Sequence, residues 1–165
     1  MTFAPRLWIV GEVVSAAIMN QEIRDQFNSM FDAWTTYTPT WTASGTNPSL
    51  GNGTITGRYI KIGRTCTASI LLTTGSTTTY GTGTYLFGLP FTAAAAVVSC
   101  LGPARLSGTD TWLGHMLLGS GSVSANITFN ASATNTRGAN MSGTVPETLA
   151  AGAQIRATIT YQTAS

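Results

Sequence analysis

The sequence predicts a mainly β protein, an antiparallel β-sandwich or jelly-roll head preceded by an N-terminal α-helix and assembled as a trimer. Three observations lead there. Val13, Ala16, Asn20, Ile23, Phe27, Met30 and Trp34 recur at alternating spacings of three and four, which aligns them along one helical face. After Trp34 the composition turns to Thr, Ser and Gly. Beyond residue 53, several segments alternate apolar and polar side chains with the period of a half-buried strand, as in Ile155, Ala157, Ile159, Tyr161 and in Val123, Ala125, Ile127, Phe129.

The helix is expected over residues 12 to 33, with Glu12 near its start and no Pro or Gly to interrupt it. A helix of this length buries a narrow apolar seam poorly by itself, so a partner is implied, most simply another copy of the chain. A monomer with the helix packed on its own head is the alternative. Asn20 falls inside the seam, where one polar residue either fixes register and oligomeric state or caps or bends the helix.

Residues 35–53 read as an extended linker able to add an edge strand. Tyr37-Thr38-Pro39-Thr40-Trp41 alternates aromatic and polar positions, and Gly45, Asn47, Pro48, Gly51 and Gly53 supply turns. The head, residues 54–165, contains strand candidates at 54–62, 65–73, 84–89, 96–101, 111–118, 123–129, 139–144 and 155–161. About eight short strands with turn signals between them suit a sandwich or jelly roll. The Thr-rich run from Thr73 to Gly81 has no apolar pattern and is expected to project as a loop. Ala93 to Ala96 could form a short helix, although Val97 and Val98 favour strand.

At 165 residues and 17.2 kDa, the chain suffices for one core with an appendage. Charged residues make up only 8% of it, and none lies between Arg64 and Arg105. With 43% hydrophobic residues, disorder does not follow. The pattern suits a surface covered by neighbouring subunits or solvated by hydroxyls. The basic side chains are scattered, and Arg58 and Lys61 would point to opposite faces of a strand, so nucleic-acid binding is not expected. No apolar run is long enough for membrane insertion, and the opening through Phe3, Pro5, Arg6 and Trp8 lacks the form of a signal peptide.

Chemistry is sparse. Asp110 and Glu147 are the only carboxylates of the head, enough in principle for a glycosidase pair but also what a solvated surface supplies. His115, the only histidine, sits in an apolar strand as a structural residue would. Cys66 and Cys100 read as two buried thiols, with a disulfide as the alternative. No catalytic set, metal site or cofactor is expected. Among the aromatics, Trp41, Tyr80, Tyr85 and Trp112 are candidates for a sugar platform, with Tyr80 and Trp112 the preferred ligand contacts. Asn-x-Ser/Thr sequons at Asn52, Asn126, Asn130 and Asn140 are unremarkable in so hydroxyl-rich a chain.

The stretch Trp8-Ile9-Val10-Gly11-Glu12-Val13-Val14-Ser15-Ala16-Ala17-Ile18-Met19-Asn20, continued by Ile23-Arg24-Asp25, resembles an opening of virion proteins from tailed bacteriophages, especially those of actinobacteria. Tyr37-Thr38-Pro39-Thr40-Trp41 and Asn52-Gly53-Thr54-Ile55-Thr56-Gly57-Arg58-Tyr59 are similar to that group as well. The resemblance covers about residues 8 to 64. It implies a minor tail, tail-fibre or capsid-spike component located in the virion and made in the host cytoplasm. Its partners would be copies of itself, other virion proteins and host-surface glycans. The shortness of this chain favours a compact spike or decoration over a long fibre.

The expectation is thus a homotrimeric, non-enzymatic structural protein. Residues 1–34 anchor and trimerise it through Val13, Ala16, Asn20, Ile23, Phe27, Met30 and Trp34, and the head faces outward. The alternative is a receptor-binding module that holds host glycans.

Overall fold

The computed structural model describes residues 7–95 and 99–164. A helical stretch comes first: α1 (Ala16–Met19), a π-helical segment (Asn20–Arg24) and α2 (Asp25–Phe31). Ten strands follow: β1 (Thr35–Tyr37), β2 (Trp41–Ala43), β3 (Thr54–Ile62), β4 (Thr65–Thr73), β5 (Tyr85–Gly88), β6 (Cys100–Ser107), β7 (Thr111–Leu118), β8 (Ser124–Asn130), β9 (Gly138–Asn140) and β10 (Gln154–Gln162).

The helix is shorter than expected. It starts behind Ser15, whose Oγ caps it by accepting the Ile18 N–H at 3.3 Å, three residues after Glu12. Val13 therefore precedes the helix and Trp34 follows it. Within it, the Asn20 carbonyl accepts the Asp25 N–H five residues on, which opens the π-helical turn. The wider turn shifts the three-four row around the axis, so Asn20 stands where the helix changes pitch.

All the strands pair antiparallel in one sheet, ordered β1-β3-β4-β10-β6-β7-β8-β5-β2, with β9 beside β8. The mainly antiparallel β head is as expected. Its strands, however, form one continuous sheet curled into a half-barrel. The curl follows from the chain path. β1 and β2 lie at opposite edges of the sheet, yet only Thr38, Pro39 and Thr40 separate them, so the edges stand within roughly 14 Å. Period-two patterning tells inside from outside but not which strands are neighbours, which is why one curled sheet and two stacked sheets read alike in sequence.

The concave face holds the core. Leu72, Tyr85, Phe87, Leu106, Met116, Ile127, Phe129, Ile155 and Ile159 are buried there. The Trp41 ring packs edge-on against Tyr85 at 5.2 Å. Residues 35–53, read from sequence as a linker, thus supply both edge strands and a core tryptophan.

Strands 54–62, 65–73 and 111–118 match their sequence boundaries. The candidate at 96–101 does not. Residues 96–98 lie outside the described residues, and β6 runs from Cys100 through Gly102-Pro103 to Ser107. Its pairing with β10 stops at Ala104, beside Pro103, which has no N–H to give. A side chain at Gly102 would collide with the Thr158 carbonyl of β10, so only glycine lets the two backbones approach there. The candidate at 139–144 shrinks to the three residues of β9. Ala93, weighed as helical, instead bridges Thr163.

Candidate functional site

Among the described residues, the N-terminal arm carries most of the exposed large apolar side chains. Every residue of the expected seam is exposed, among them Val13 at 86% and Phe27 at 59%, together with Ala16, Asn20, Ile23, Met30 and Trp34. Leu7, Ile9, Val10, Met19 and Phe31 add to it. The helix meets its own head where α2 approaches β3. Contiguous apolar exposure of this kind marks an interaction surface. The seam is not one straight row, because the π-helical turn separates Ala16 from Phe27 and Met30.

The Thr-rich run does not project. Residues 73–84 lie against residues 44–53, and hydroxyls and amides join them. Asn52 Oδ1 accepts the Thr77 N–H and hydroxyl at 3.0 Å each, and Thr77 Oγ1 accepts the Asn52 N–H at 2.8 Å. Thr78 donates to the Leu50 carbonyl at 2.6 Å, and Ser49 and Thr79 exchange backbone bonds. A hydroxyl that satisfies backbone groups replaces both charge and apolar packing, which accounts for much of the uncharged middle of the chain.

Tyr80 closes this double loop. Its carbonyl accepts the Tyr85 hydroxyl at 2.7 Å, while its own hydroxyl is buried and has no hydrogen-bond partner among the described residues. Tyr85 and Trp41 are core residues. Trp112 is half-buried on β7, and its Nε1 donates to Glu147 at 2.9 Å. The same carboxylate accepts the Thr109 and Asp110 N–H groups at 2.8 and 3.1 Å, so Glu147 clamps the β6–β7 hairpin. The loop 141–149 links the two aromatics: Gly143 lies against Tyr80, and Glu147 holds Trp112.

His115 is exposed on the convex face of β7, opposite Pro103. Cys66 and Cys100 are both free thiols, the first buried and the second half-buried. Burial pushes the Cys66 thiol up from its usual range. No group of His, Cys, Asp and Glu suited to a metal occurs among the described residues. No helix there is long and apolar enough to cross a membrane.

One arrangement was not legible in sequence. Arg58 on β3, Arg156 on β10 and Arg105 on β6 share the convex face, and Arg156 lies directly opposite Arg105. Residues far apart in the chain meet only through strand order, so scattered arginines hid a cluster. Lys61 points the other way, with its Nζ 4.6 Å from the centre of the Phe91 ring.

No family model, curated protein or solved structure matches the chain.

Proposed function

We propose that the chain is a structural protein of a bacteriophage virion, a homotrimeric spike, decoration or short fibre on the capsid or tail that meets the host surface. The exposed apolar arm carries this reading: residues 7–34 hold the bulk of the large uncovered side chains, and the head leaves them open. Each large side chain contributes about 1.5–3 kcal/mol when fully buried, so joining three arms offsets the ordering of a short helix. The resemblance of residues 8 to 64 to phage virion proteins supports the location.

Immunogold labelling of phage particles with an antibody against the β head tests the location. Label on the particle surface is the expected result, and label confined to unassembled protein contradicts it.

A second reading, a host-glycan module, is favoured by the Trp112 indole, which Glu147 holds in place at the end of a hairpin. Fixed aromatic faces suit sugar rings. Glycan-array binding that Trp112→Ala or Tyr80→Ala abolishes would support this module. Binding unchanged by both substitutions would remove these contacts.

A further inference from the structure

We propose that the convex face spanning β3, β4, β10 and β6 binds a linear anionic polysaccharide, with Arg58, Arg156 and Arg105 receiving its charged groups. The register carries the argument. Arg156 pairs with Arg105 across β10 and β6, so two like charges face each other on adjacent strands. Such a pair opposes sheet formation, and a bound anion removes the repulsion. Arg58 lies two strands from Arg156 and one row along, beyond Ser69 and Leu71 of β4. With neighbouring strands about 4.8 Å apart, the lateral spacings are about 5 and 10 Å, a row suited to a chain with repeated charges.

The face offers no internal counter-charge. All three arginines are exposed, and none forms an ion pair among the described residues. Glu12, Glu22, Asp25 and Asp32 belong to the arm. Glu147 is committed to the β6–β7 hairpin, and Asp110 lies in that hairpin beyond the end of the row. Over residues 35–165 six basic side chains stand against two carboxylates.

Between the arginines are hydroxyls. Ser69 and Thr158 are bonded at 3.0 Å, and Thr67 and Thr160 at 2.8 Å, in cross-strand pairs along the same face. Thr56, Arg58, Ser69, Leu71, Arg156 and Thr158 line a shallow depression there. Hydroxyls beside guanidinium groups match a ligand that carries both hydroxyl and anionic oxygens. A nucleic acid is less well served: three charges release few counterions, and the depression has no exposed aromatic on which bases stack.

The test uses the full chain, with dextran sulfate and polygalacturonate as probes and neutral dextran and single-stranded DNA as comparators. Titration calorimetry is run at low and at physiological salt. At least one anionic polysaccharide should bind, more weakly as salt rises, and neutral dextran should not. R105A/R156A should weaken that binding by about tenfold or more, whereas R137A, which removes a basic group elsewhere, should leave it unchanged. Circular dichroism of each variant reports folding; if R105A/R156A is misfolded, R58A with a native spectrum serves in its place. Equal binding by the folded variants, an equal loss in R137A, binding of DNA alone, or binding of no probe would each overturn the proposal. So would a change of native mass in R105A/R156A without loss of polysaccharide binding, which would assign the face to the acidic arm of a second copy.

Discussion

Glu147 shows how one side chain can organise a loop. Its carboxylate takes three N–H donors from the β6–β7 hairpin and thereby fixes both Asp110 and Trp112. Hydrogen bonds to a charged group contribute about 1.5–3 kcal/mol, so Glu147→Ala should cost about 2 kcal/mol in urea unfolding and lower Tm by roughly 4–8 °C. An unchanged midpoint would show that the hairpin holds without it. Tyr80 and Tyr85 make a sharper pair. The Tyr85 hydroxyl is satisfied by the Tyr80 carbonyl, whereas the Tyr80 hydroxyl is buried without a partner. Tyr85→Phe should cost about 1 kcal/mol and Tyr80→Phe should be neutral or stabilising. The reverse order in unfolding experiments would contradict the assignment.

Burial also raises Cys66, Tyr85 and Tyr161 above their usual values of 9.0, 10.0 and 10.0. Each is neutral when protonated, so the folded state keeps these protons longer than the unfolded chain. Their contribution to stability is complete below about pH 9 and is lost as pH rises through the raised values. Tm should therefore fall in alkali above about pH 9–10, and a Tm constant to about pH 11 would refute the burial of these groups. The burial of Cys66 and Tyr161 was legible in the sequence, whereas the hydrogen-bond partners were not. The partners of Glu147 and Tyr85 are set by loops that close only when the sheet forms.

Among the elements, strands bounded by glycine-containing turns were readable. β3, β4 and β7 begin and end at the expected residues. β6 was not, because Gly102-Pro103 looks like a turn, and only the crowded approach of β10 gives Gly102 its place in a strand. Gly102→Val should push β6 from β10 and cost roughly 3 kcal/mol in chemical unfolding; a cost near zero would mean that the two backbones separate freely. The edge strands β1 and β2 were foreseen only as an edge strand that the 35–53 linker could add, for a different reason. At three residues each they are too short for a periodic signal, and their partners are β3 and β5. The helix was recognised from its apolar row, but its limits depend on the Ser15 cap and the π-helical turn at Asn20, which spacing does not encode.

The molecule as a whole divides into a closed and an open part. The head satisfies itself: a concave core, two chain edges drawn together by Thr38–Thr40, and loops joined by hydroxyls. The arm does not, since its apolar side chains remain in solvent. That asymmetry is the basis for the proposed trimer, and substituting both Ile23 and Phe27 by Asp should abolish self-association while leaving the β-sheet circular dichroism spectrum intact. Retention of the assembly would place the contacts elsewhere. The change of composition at Trp34 falls where helix gives way to strand, between Phe31 and Thr35. The convex arginine row was not legible in the sequence, because it exists only once β3, β10 and β6 lie in order.

Light scattering of the purified full chain at low and high concentration is the most direct measurement. A mass three times 17.2 kDa at both concentrations is the predicted result. A stable monomer at both would contradict the account, because the exposed arm would then have no copy of itself to cover it.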